Sequence, residues 1–249
     1  MIRALLLAGA LSVLTACSPS DGSLVGAAAD KPGVIKVHTE DVDYADDDMP
    51  FSTVAKKVTV SMEGDATSAE VIGVFDEYAE EVEGGDVEVV VVTLVGPKQA
   101  TLSFGGEGSR LAEEVVEDLV AAQGDEAVLT YERAAGKWLR TVNVELAPTD
   151  FAEVVRRADR YVDVDDVGVT SGGLSLSRSE STGGDPRVGA ARERLVLRIG
   201  ERFDLLAANV SADIPLEITV AEDEVVAVNR AMKSDPEAEA IGRYRVSSE

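Results

Sequence analysis

The sequence predicts an α+β protein: an antiparallel sheet with helices on one face, built from repeated αββ units. Three observations carry this. Stretches with helical spacing of apolar residues start at Thr67, Ser109, Asp150 and Asp185, which lie 42, 41 and 35 residues apart. Each is followed by two strand-like runs joined by a turn. A further alternating run, Val58 to Met62, stands in front of the first helix, giving one strand and then four αββ units.

The first helix, residues 68 to 83, starts with Thr67 and Glu70 in capping-box spacing and carries Val71, Phe75, Tyr78 and Val82 on one stripe. Val87 to Val95 then turns at Gly96-Pro97 into Ala100, Leu102 and Phe104. A second helix opens at Ser109, with Leu111, Val115, Leu119 and Ala122 on its stripe. Val128 to Arg133 turns at Ala135-Gly136 into a run from Trp138 to Leu146. Asp150 with Glu153 caps the third helix, whose stripe is Phe151, Val154, Ala158 and Tyr161; Val167 and Val169 then turn at Gly172-Gly173 into Leu174 and Leu176. Asp185 followed by Pro186 opens the fourth, residues 186 to 206, with Leu195, Ile199, Phe203 and Leu206 inward. The last strands are expected over Ile214 to Val220 and Val225 to Val228.

Each βαββαβ window has the element order of a ferredoxin-like unit. The expected domains are two related halves, 57–136 and 137–249, behind a tether. The βαββ order also resembles, in element order alone, the BON-type modules of bacterial envelope proteins.

The first residues have another grammar. Arg3 supplies a positive charge, Ala4 to Val13 an apolar run interrupted by Gly9 and Ser12, and Thr15, Ala16 and Cys17 a small-residue end, the order of a secretory signal. The run is shorter than the roughly 20 apolar residues a spanning helix needs. Cys17 is the single cysteine of 249 residues. Placed directly after Leu14-Thr15-Ala16, it resembles the lipobox of bacterial lipoproteins, in which that cysteine is acylated and becomes the new N-terminus. The resemblance covers residues 1–17 and implies a signal peptide over 1–16, lipidation at Cys17 and a protein tethered to the extracytoplasmic face of the cell membrane. A lone thiol forms no internal disulfide, and with His38 as the one histidine a zinc site lacks ligands. Several acyl chains on one residue, at about 0.8 kcal/mol per buried methylene, make attachment stable.

Residues 17–56 read as an acidic flexible tether with one short strand at Val34 to His38. As a coil they would reach about 35 Å. The Asp41 to Asp48 run lacks EF-hand spacing, because Ala45 and Asp46 stand where a ligand and a glycine belong. From Cys17 onward there are 47 acidic and 22 basic residues, a formal charge of −25. A field of that sign repels nucleic acid and anionic lipid. Aromatic residues make up 4% of the chain, too few to favour sugar clefts or base-stacking platforms.

Nothing in the sequence marks an enzyme or a cofactor site. No G-x-S-x-G elbow, phosphate loop or complete G-x-G-x-x-G is present, and the "GGEGSRL" run at 105–111 lacks its last glycine. Asp163, Asp165 and Asp166 also fail calcium-loop spacing, with Val167 at a ligand position. Among 47 acids some close carboxylate pair is inevitable, so a carboxylate-based enzyme leaves no recognisable trace.

One feature stands out. Arg194, Arg198 and Arg202 lie four apart on the fourth helix with no acid four residues before any of them. Like charges at that spacing repel, so a compensating group must lie outside the helix. Either the acidic face of the first or second helix supplies it, as a clamp between halves, or the stripe meets an anionic partner such as an acidic envelope protein or a lipid headgroup. The expected function is therefore a non-enzymatic binding or scaffolding lipoprotein of the cell envelope, with a carrier for a lipid or small apolar ligand as the first alternative.

Overall fold

A computed structural model describes residues 20–42, 55–106, 111–137, 140–161, 163–179 and 184–248. Its elements are α1 (Asp21–Ala29), β1 (Val34–Val42), β2 (Ala55–Glu63), α2 (Ser68–Glu77), α3 (Ala79–Gly84), β3 (Val87–Val95), β4 (Gln99–Gly105), α4 (Glu113–Gly124), β5 (Val128–Gly136), β6 (Arg140–Leu146), α5 (Phe151–Ala158), β7 (Asp166–Ser171), β8 (Leu174–Ser179), α6 (Pro186–Gly200), β9 (Ala207–Val210), β10 (Leu216–Val220), α7 (Val225–Ser234) and β11 (Tyr244–Ser248).

The strands form one sheet in sequence order, β1 through β11. Pairs joined by a turn or loop, such as β3–β4 and β7–β8, are antiparallel. Pairs joined through a helix, such as β2–β3, β4–β5 and β6–β7, are parallel. This corrects the expected antiparallel sheet with helices on one face. The sheet is mixed, because each helix returns the chain to the opposite end of the sheet before the next strand begins, and the new strand lies directly beside the last. The ferredoxin-like arrangement goes with it, because sequential order leaves no strand inserted between others; the sheet runs unbroken through the β5–β6 hairpin, where the boundary between the two halves was expected.

Register puts the buried positions on one face. Val60, Val92, Leu102, Arg133, Val142, Val167 and Arg178 stand side by side across seven strands. Five are apolar and two are arginines, and the arginines mark where the interior turns polar. Over this face lie Val71, Val74 and Phe75 of α2, Val116 and Leu119 of α4, Val154 and Ala158 of α5, and Leu195 and Ile199 of α6, all buried.

Local signals explain the helix starts. Thr67 and Glu70 form the capping box, with the Thr67 backbone N–H donating to Glu70 Oε2 at 2.7 Å. Asp150 Oδ1 accepts from the Glu153 N–H at 2.8 Å, and Asp185 Oδ1 from the Arg187 N–H at 2.9 Å with Pro186 in the first turn. Ser109 lies outside the described residues, and α4 begins later, after Ala112, without a side-chain cap. The expected first helix breaks at Tyr78 into α2 and α3.

Two segments differ more deeply from expectation. Val225 to Val228 is helical, not a strand: Val228, Ala231 and Met232 are buried at helical spacing in α7. The expected tether contains α1 and the nine-residue strand β1, both packed on the body. Leu24 and Ala28 of α1 are buried, and Tyr78 Oη donates to the Leu24 carbonyl at 2.8 Å. The Asp43 to Asp48 part of the acidic run, and Cys17, lie outside the described residues.

Candidate functional site

The arginine stripe is held within the fold, though not by the helices expected. Arg198 forks onto Asp235, Nε to Oδ2 at 2.9 Å and Nη2 to Oδ1 at 2.7 Å, and Nη2 also donates to Glu237 Oε2 at 2.8 Å. Arg194 Nε donates to Glu237 Oε1 at 2.9 Å. Both acids follow α7, so the arginines tie α6 to the end of the next helix. Arg202 lies 5.3 Å from the ring centroid of its neighbour Phe203. The pairing with Arg194 and Arg198 brings Glu237 down to about 2, and Arg198 lowers Asp235.

A cleft lies between α6 and the β7–β8 hairpin, with a volume of about 350 Å³. Val167 and Leu176 form its floor, Tyr161 and Val164 one side, and Gly189 and Ala190 of α6 the other. Strand alternation explains the floor: Leu174, Leu176 and Arg178 share the inward face of β8, so the strand carries an arginine to the rim of an apolar surface. Arg178 Nε and Nη2 donate to Glu193 at 3.1 and 2.9 Å, and Nη2 to Asp159 Oδ1 at 2.8 Å. Burial opposes its charge, yet the pairing with Glu193 and Asp159 more than offsets that and raises Arg178 above its ordinary value.

This network joins β8 to α5 and α6, which makes the rim rigid. The two rim carboxylates are committed to one guanidinium. Asp165, a third acid of the cleft, accepts from Arg140 Nη2 at 2.8 Å and from its backbone N–H at 2.8 Å, and is lowered for that reason. Such an arrangement suits holding a ligand better than abstracting a proton. Among the described residues no group of three or more His, Cys, Asp or Glu is placed to hold a metal ion.

A polar cluster adjoins the cleft under α4 and α5. Arg157 is 5% exposed and its Nη1 donates to Asp125 Oδ2 at 2.6 Å. Arg133 pairs with Asp118 of α4. Tyr131 is fully buried, with its ring 6.5 Å from that of Tyr161, centroid to centroid, and burial raises both phenols.

Sequence reasoning missed both features. The available signal was positional: Arg133 and Arg178 each occupy an inward position of an alternating strand, where an apolar residue is expected. His38 is exposed on β1, paired in register with Thr59 and remote from the cleft.

The chain matches no described protein family, no curated protein and no solved structure.

Proposed function

We propose that this protein is a lipid-anchored, non-enzymatic binding protein on the extracytoplasmic face of the cell membrane, and that the cleft between α6 and β7–β8 is its ligand site. The cleft carries the binding part of this reading: an apolar floor, a fixed charged rim and a volume at the lower end of small-molecule sites. It favours the carrier of a small apolar ligand over an arginine-stripe partner site, since Arg194 and Arg198 already have intramolecular carboxylates.

The anchoring part rests on the signal-like residues 1–17, and α1 changes what an anchor would do. Four residues along from Cys17 the docked helix begins, so the span from Cys17 to Asp21 is at most about 14 Å. An acylated Cys17 then holds the body close against the bilayer rather than on a long leash. Membrane fractionation tests this. The wild-type chain sediments with membranes and Cys17→Ala is released; retention of the variant refutes the anchor.

The scaffolding reading draws on the second face of the sheet, where Thr59, Val91, Thr101, Ser103, Thr141 and Asn143 border a shallow trough of about 460 Å³. A photo-crosslinker replacing Thr101 that captures one reproducible envelope protein moves that reading ahead.

A further inference from the structure

β1 is the first strand of the sheet and pairs, among the described residues, with β2 alone, so one side of its backbone is open to another strand. Native proteins guard such an edge with short length, bulges or charges. β1 is nine residues long, and its guards are a bulge at Ile35, between the paired Val34 and Lys36, and a set of charged side chains. Lys36, His38 and Glu40 stand opposite Ser61, Thr59 and Lys57 of β2, on the face away from the helices, and all three are exposed. Glu40 Oε1 meets Lys57 Nζ at 2.7 Å, whereas Lys36 makes no ion pair among the described residues. Ile35, at the same edge, is 57% exposed.

The order of these residues is self-complementary. Laid antiparallel against a copy of itself with His38 opposite His38, the strand places Lys36 opposite Glu40 of the second copy and Glu40 opposite its Lys36. Opposite charges directly across a strand pair stabilise it, and like charges destabilise it. Moving the axis by one residue ends the match: centred on Val37, Lys36 meets His38, and centred on Thr39 it meets Val42. The charges that guard this edge against other strands therefore select a second copy in one register. The five-residue β11 at the other edge carries Arg245 as its one charge and has no such pattern.

We propose that β1 is the interface of a two-fold dimer of this chain, joined edge to edge over Lys36 to Glu40 about an axis through His38 and normal to the sheet. Such a contact is isologous and closes at two copies, because each copy uses up its own β1 edge. The helix faces of both copies lie on one side, and α1 with them, so lipid anchors at Cys17 of both copies would enter one bilayer. The pairing itself does not depend on the anchor. A short strand contact is smaller than the roughly 1,200 Å² of a standard interface, so the dimer is weak and a covalent trap is the suitable assay.

The full chain with Cys17→Ala, which removes its one cysteine, tests the proposal through single cysteines placed on β1. Residues directly opposite in an antiparallel pair have Cα atoms about 4.5–5.5 Å apart, within disulfide range. Under mild oxidation His38→Cys gives a covalent dimer on a non-reducing gel. Lys36→Cys and Glu40→Cys, each about 14 Å from its own copy, give none alone and a dimer when mixed. Lys36→Glu slows crosslinking through His38→Cys at least about fivefold, and adding Glu40→Lys restores most of the rate. All three side chains are exposed, so the variants keep their thermal midpoints. No dimer through His38→Cys, equal crosslinking at all three positions, no rescue by the charge swap, or sedimentation that grows past two copies overturns the proposal.

Discussion

Removing one oxygen atom from Tyr78 tests how α1 is attached. The helix has nine residues, two of them glycine, and is too short to persist alone in water. It is held by burial of Leu24 and Ala28, by the hydrogen bond from Tyr78 Oη to the Leu24 carbonyl, and by ion pairs of Lys31 with Glu77 and of Lys56 with Asp21. Tyr78 is fully buried and its phenol is pushed up to about 12, so the hydroxyl acts as a neutral donor throughout the physiological range. Tyr78→Phe keeps the ring and deletes that bond. A buried neutral hydrogen bond is worth about 1–1.5 kcal/mol, and 1.4 kcal/mol is tenfold in an equilibrium constant. Local opening of α1 therefore rises roughly five- to tenfold. Hydrogen exchange followed by mass spectrometry reads this directly, comparing peptides from residues 20–31 with peptides from β5 and β6. Faster exchange confined to α1 is expected. Unchanged exchange in α1, or an equal rise in both regions, refutes its attachment as a separately opening unit.

Two further outcomes follow from charged side chains that tie elements together. Asp235 and Glu237 are depressed in the folded state, so the unfolded chain binds more protons at low pH. Their contribution is complete above the unfolded carboxylate range near 4.5 and is lost as pH falls toward the folded value of Glu237, about 2. Urea midpoints fall between pH 5 and pH 2, and Arg198→Gln shows a smaller fall; equal falls in both chains sink the α6–α7 clamp. Arg192 is 5% exposed and donates to the carbonyls of Ile241 at 2.8 Å and Ser211 at 2.5 Å, and to that of Ile214. Arg192→Met strands these acceptors and costs at least about 3 kcal/mol in chemical unfolding, at about 1–3 kcal/mol for each unsatisfied buried group. A loss below about 1 kcal/mol contradicts that role.

The sequence by itself determined the elements whose causes are local. Thr67 with Glu70, Asp150 with Glu153, and Asp185 with Pro186 mark helix starts because the cap and the N–H groups it satisfies lie within three residues of each other. Val87 to Val95 is legible as a strand for a similar reason: length, β-branched composition and a following Gly96-Pro97 turn are all properties of one short stretch. Tertiary structure alone decided what depends on distant partners. α1 has weak local propensity and exists because Leu24 meets the core and Tyr78, 54 residues away. Val225 to Val228 has β-branched composition, yet burial of Val228, Ala231 and Met232 at helical spacing makes it a helix. The arginine stripe announced that a compensating group existed. That Asp235 and Glu237 supply it depends on where α7 ends, 37 to 43 residues further on. Parallel pairing across the helices had the same origin, since the direction of a strand is set by the path of the whole crossover and not by any residue within the strand.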